Sequence, residues 1–172
     1  MSRVFDPDRI LRTLTAREVD FVVIGGLAGN ILGTADVTND LDICYARERE
    51  NLERLAGALN DLEARLRVAG GADEDLPFPI DARSLRLGDS FTFATLAGDL
   101  DVLATPSGTS GYHDLAQEAR TVELGEGLEV LVVSLDDLIR MKRASARVKD
   151  RLHLEHLAAL RDEIAEGGDP FA

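Results

Sequence analysis

Two short stretches of this chain alternate acid and aliphatic residue by residue: Asp40-Leu41-Asp42-Ile43 and Asp99-Leu100-Asp101-Val102. Such alternation belongs to a β-strand, whose successive side chains point to opposite faces. Both acids of each pair therefore project to one side, while Leu41, Ile43, Leu100 and Val102 project to the other. Two more aspartate pairs share the spacing but not the setting. Asp6/Asp8 sits at a helix start, where acids complement the macrodipole, and Asp73/Asp75 lies in a stretch bounded by Gly70-Gly71, Pro77 and Pro79. With 32 acids in the chain, spacing alone selects nothing and setting must. Either strand pair in isolation also reads as the exposed face of an acidic protein.

The remaining pattern places these strands among helices. Asp6 is the candidate N-cap and Pro7 the first turn of a short helix carrying Ile10, Leu11 and Leu14. Phe21 to Ile24 is a buried strand closed by Gly25-Gly26, and a helix from Leu27 to about Leu32 follows. Leu41 to Tyr45 is the next strand. Leu52, Leu55, Leu59, Leu62 and Leu66 predict one long helix from Arg47 to Arg67, and Ala69 to Asp81 reads as a loop. Strands are expected at Phe91–Ala94 and Leu100–Leu103, turning near Gly98, and at Val122–Leu124 and Leu128–Val133 around Gly125-Glu126-Gly127. Ser134-Leu135-Asp136-Asp137 opens a helix through Lys142 or beyond, and a last helix runs from about Asp150 to Ala165. Strands separated by helices and followed by a helical end imply an α+β fold with a mixed sheet.

Length and composition bound the alternatives. At 172 residues the chain makes one domain, and 45% hydrophobic with 30% charged residues is a globular profile. A single cysteine, Cys44, excludes an intramolecular disulfide, and its place in an apolar strand reads as core packing. No apolar run reaches the length of a membrane span, and Met1 to Asp8 lacks a signal-peptide layout, so a cytoplasmic location without a membrane partner is expected. The net charge of −13 opposes broad adhesion to nucleic acid. One segment departs from it: Ile139 to Arg151 holds six cations against Asp150 alone, a net +5, leaving −18 for the rest. Lys142 and Lys149, both in that segment, are the only lysines. Coding bias with a solvated helix face explains this as well as an anion site does.

The chemistry lies where the strand acids meet the glycines. Acids projecting together lose solvation and repel unless a cation sits among them, and Mg²⁺ takes a few carboxylate oxygens while keeping sites for water and phosphate. Gly25-Gly26 stands just before a helix, where backbone amides bind anions and glycines let a phosphate approach. A tight turn would use the same pair. His113, His153 and His156 form no defensible metal spacing, and the last two read as surface residues. Tyr112 and Gly108-Thr109-Ser110-Gly111 read equally as an acceptor border or as a plain turn.

A strand ending in Gly25-Gly26, thirteen residues, Asp40-x-Asp42 on the next strand and a later lone acid, Asp101, between Leu100 and Val102 resembles the nucleotidyltransferase superfamily with the DNA polymerase β type of palm. Ser134 to Lys142, followed by Arg147-Val148-Lys149-Asp150, is similar to the C-terminal signature of its AbiEii/MenT-like branch, which includes toxins of bacterial toxin–antitoxin pairs. The resemblance covers about residues 21–160. It implies a single nucleotidyltransferase-like domain over 1–172, with a core at about 19–133 and a helical segment at about 134–166.

The implied activity is transfer of a nucleoside monophosphate from an NTP to an acceptor hydroxyl. In that scheme Asp40 and Asp42 bridge two Mg²⁺ ions, one of them shared with Asp101. Gly25 and Gly26 hold the triphosphate, and Lys142 and Lys149 neutralise it, one helix face serving both lysines if the helix runs unbroken. Implied partners are an NTP, tRNA or another RNA as acceptor, and a cognate antitoxin protein. A small-molecule or protein acceptor is the alternative. Gly26 stands where relatives often carry serine, and Asp36 where a loop arginine is common. These departures leave room for a catalytically silent relative that only binds a nucleotide or a partner.

Overall fold

The computed structural model describes residues 4–67, 77–145 and 148–167, the side chains of 148–150 excepted. The first helix, α1 (Pro7–Ala16), starts where Asp6 accepts the Arg9 N–H at 3.1 Å, and it buries Ile10, Leu11 and Leu14. Strand β1 (Phe21–Ile24) is buried along its length. Helix α2 (Gly25–Leu32) follows without a linker, so both glycines belong to its first turn rather than preceding it. Next come β2 (Asp40–Tyr45) and α3 (Arg49–Asp61), whose Leu52, Leu55 and Leu59 are buried.

The leucine stripe overstates α3. The helix ends at Asp61 because Glu63 takes a left-handed φ of 48° and the Ala64 N–H bonds back to the Leu59 carbonyl at 2.9 Å. Leu62 stays buried beside the helix end, but Leu66 lies in a two-residue strand, β3 (Arg65–Leu66), opposite Phe93. Three-four spacing survives the change of conformation; pairing with another strand outweighs local propensity. Part of the expected 69–81 loop, residues 69–76, lies outside the described residues. Helix α4 (Ala82–Leu87), capped by Asp81 on the Ser84 N–H at 2.7 Å, was not apparent in the sequence.

The second half keeps closer to expectation. Strands β4 (Ser90–Thr95) and β5 (Gly98–Leu103) form a hairpin, α5 (Tyr112–Ala116) is a short helix, and β6 (Arg120–Glu123) and β7 (Glu129–Val132) form a second hairpin. Ser134 Oγ accepts the Asp137 N–H at 3.1 Å and starts α6 (Leu135–Ser145). The last helix, α7 (Val148–Gly167), returns along α6, placing Arg161 Nη1 4.0 Å from Asp136 Oδ1. Lys142 and Lys149 therefore sit on two antiparallel helices and do not share one continuous helix face.

Among the described residues the sheet has seven strands in the order β3-β4-β5-β2-β1-β7-β6. It is mixed: β2 with β5 and β1 with β7 run parallel, and the other pairs antiparallel. The fold is α+β, as expected. Leu41, Ile43, Leu100 and Val102, together with Phe93, join one buried cluster with the apolar faces of α1 and α3. That cluster anchors one face of the central strands and leaves the other for the acids.

Candidate active site

Parallel pairing sets Asp40 opposite Asp99 and Asp42 opposite Asp101, so the four acids share one face of adjacent strands. They do not share one fate. Asp99 is ion-paired to Arg67, a cation just beyond the sheet's edge strand. One ligand oxygen each from Asp40, Asp42 and Asp101 lie within 4.8 Å of one another. Asp99 also lines the cleft but is drawn to Arg67, whereas Asp101 lies opposite Asp42 and completes the trio.

Crowding shows in the protonation of the trio. Burial, then the charges of Asp40 and Asp101, pushes the Asp42 carboxyl up to about 7, and Lys142 opposes the shift. Asp101 is also raised, by burial first, against a hydrogen bond involving Thr92 that favours its charged form. Its Oδ1 is buried with no hydrogen-bond partner. An orphaned carboxylate oxygen among two further acids fits a hard divalent cation with oxygen ligands, which satisfies the oxygen and removes the repulsion together. Among the described residues no other cluster of histidine, cysteine or acid meets the same geometry.

The glycine turn is built around this trio. Gly25 has a φ of 68°, and a Cβ there would lie 2.1 Å from Asp42 Oδ2. Only glycine fits, since the space belongs to the carboxylate. A Cβ on Gly26 would lie 3.1 Å from Thr38 Oγ1, and that hydroxyl donates to the Asp40 carbonyl at 3.0 Å. The α2 start, the loop before β2 and the first metal-type acid are thus packed as one unit.

The trio and both glycines line a cleft of about 480 Å³. Lys142 lines it from α6, together with Leu138 and Met141. The side chain of Lys149 lies outside the described residues. Arg140, on the other side of α6, is held by Asp137 at 2.9 Å and Asp114 at 3.1 Å. The cleft reaches Pro106 and Ser107 but not the 108–111 loop, and Tyr112 borders a separate cavity with Phe21 and Arg54. Cys44 is buried, as its strand setting implied.

Two histidines keep the partial exposure expected of them yet also meet the site. His153 lines the cleft, and His156 Nδ1 is 2.8 Å from Asp36 Oδ1. Their spacing of three on a helix was the available signal, because it places both on one face. Nothing in the sequence marked Ser107.

Neither a protein-family model nor a curated protein matches the chain by sequence. Among the described residues no helix is long and apolar enough to cross a membrane. Solved structures do match by fold. The lincomycin-bound lincosamide antibiotic adenylyltransferase LnuA is 13% identical, with a TM-score of 0.61 over 92% of this chain and 99% of that one. ANT(2")-Ia in complex with adenylyl-2"-tobramycin is 16% identical, with a TM-score of 0.55 over 92% of this chain and 87% of that one. By these likenesses the mixed sheet and its flanking helices form a nucleotidyltransferase-like fold.

Proposed function

We propose that the chain is a Mg²⁺-dependent nucleotidyltransferase, moving a nucleoside monophosphate from an NTP to an acceptor hydroxyl with release of pyrophosphate. The observation that carries this is the meeting of Asp40, Asp42 and Asp101 in one cleft beside Gly25, with Asp101 Oδ1 buried and unpartnered. Magnesium held by these three carboxylates supplies positive charge for the phosphates and lowers the pKa of the acceptor hydroxyl. Gly25 and Gly26 present N–H groups at the start of α2 to the triphosphate. Lys142 neutralises part of its charge from α6, and Lys149 shares that role through the resemblance. Leu138, Met141 and Leu157 form an apolar wall that limits water on one side of the cleft.

For the acceptor we favour a small hydroxyl-bearing molecule. The fold likenesses run through antibiotic adenylyltransferases along nearly their whole length. The basic segment is also less available to RNA than its composition implies, because Arg140 is committed to Asp114 and Asp137. An RNA acceptor, with an antitoxin as protein partner in the AbiEii/MenT manner, is the second reading. It draws on the remaining cations of 139–151.

The test measures pyrophosphate release from each of the four NTPs with Mg²⁺, offering an aminoglycoside and lincosamide panel or total tRNA. The parent is expected to turn over with one acceptor class, Asp42→Asn to be inactive, and Asp162→Asn, on the exposed side of α7, to match the parent. Mg²⁺-NTP binding without turnover on any acceptor would mark a silent relative. Absence of NTP binding would overturn the proposal.

A further inference from the structure

Asp36 lies in the loop between α2 and β2, on the side of the cleft that holds Gly25, Gly26 and Thr38. On the proposed function, that is the triphosphate side, where a carboxylate opposes a polyanion. The structure gives this carboxylate a partner from the far end of the chain. His156 on α7 faces it at 2.8 Å, across 120 positions of sequence. The same helix seats Leu160 against the loop at Gly33, where an added Cβ would lie 3.1 Å from Leu160 Cδ1. It also lends His153 and Leu157 to the cleft wall. α7 therefore meets the loop through an apolar contact at Leu160 and through the His156–Asp36 pair. Asp36 keeps only 20% of its side-chain exposure, so little water competes for its charge there.

We propose that His156 is a positioning residue for nucleotide binding: its ring engages the Asp36 carboxylate and keeps an acid on the phosphate side of the cleft from opposing the triphosphate. The inference rests on the nucleotidyltransferase reading. A released carboxylate within about a Debye length, roughly 8 Å at physiological salt, of a polyanion lowers its affinity several-fold. Removing the charge at position 36 instead removes the need for the histidine. The two substitutions are therefore not additive, and that non-additivity separates a hold on the Asp36 carboxylate from a simple packing role.

The experiment titrates the full-length chain with each of the four Mg²⁺-NTPs and with Mg²⁺-pyrophosphate by calorimetry, in the parent, His156→Ala, Asp36→Asn and the double variant. His156→Ala is expected to bind NTP and pyrophosphate about three- to tenfold more weakly, with KM raised and kcat held. Asp36→Asn should bind at least as tightly as the parent, and the double variant should match Asp36→Asn within about twofold. Unchanged binding in His156→Ala, weaker binding in Asp36→Asn, or a His156→Ala loss that persists in the double variant would each overturn the role. A parent that binds none of these probes would overturn the nucleotidyltransferase reading itself, and the role of His156 with it.

Discussion

Gly25 and Asp42 compete for one volume. A methyl group at position 25 would stand 2.1 Å from the Asp42 carboxylate, and the backbone there has a φ of 68°. Gly25→Ala therefore must move either the strand acid or the turn. It is expected to abolish transfer and to cost about 1–3 kcal/mol of stability, read by pyrophosphate release and by urea unfolding. Asp42 itself sets a pH dependence. Its carboxyl is raised from 3.8 to about 7 in the fold, so between those values the folded chain holds a proton that the unfolded chain has released. Stability from this group is full below that window and is lost as pH rises through it. Melting temperature without added metal should fall between pH 5 and pH 8, and Mg²⁺ should restore it at pH 8. Asp42→Asn should flatten the pH trend while removing activity. A trend equally steep in Asp42→Asn would assign it to other groups. The acid pairs were legible in the sequence because alternation in a strand is a local property. The pairing of Asp101 with Asp42, and that of Asp99 with Arg67 across 32 positions, exist only through the sheet.

At the scale of elements, the caps at Asp6 and Ser134 declared themselves, while the Asp81 cap, the turn at Glu63 and the tertiary pairings did not. Ser134, read as the opening of a helix, does accept the Asp137 N–H. Ser134→Ala should cost about 1 kcal/mol in chemical denaturation with kcat nearly unchanged, since the cap lies a full turn or more from Lys142. The lysine makes the opposite prediction. Lys142→Ala should leave the fold intact and weaken Mg²⁺-NTP binding about ten- to a hundredfold, the range of a charge-assisted contact. Arg161→Ala, on α7 and outside the cleft lining, serves as the control. Equal binding in both would make Lys142 ordinary surface. A two-residue strand such as β3 could not be read beforehand, because its conformation exists only through Phe93 and Ala94 on the neighbouring strand. Two helices at this end were read as such, but the return of α7 along α6 was hidden, since their relative direction rests on contacts between them such as Arg161 with Asp136.

For the whole molecule, the sheet divides labour between its faces. Aliphatics of β2 and β5 meet the core with α1 and α3, while the acids of the same strands face the cleft and the C-terminal helices. Leu55 on α3 is fully buried, and Leu157 on α7 is 3% exposed but also lines the cleft. Either change to alanine should cost about 2–5 kcal/mol. Below their melting temperatures, however, Leu55→Ala should keep the parent KM for NTP and Leu157→Ala should raise it. Matching KM values in the two variants would mean that the α7 wall is not part of the nucleotide site.

The unpartnered oxygen of Asp101 has a bearing on descent as well as on chemistry. Three crowded carboxylates, two of them driven toward protonation, are a burden on the fold that holds them. Most natural proteins sit just above the stability they need, so substitutions that relieve such a burden are readily available. A lineage released from selection for catalysis would be expected to shed these acids early, an asparagine or a serine at any of the three improving the fold at once. Erosion of activity in such a family would begin at the site and reach the scaffold last, leaving inactive descendants that are sturdier than their working ancestors.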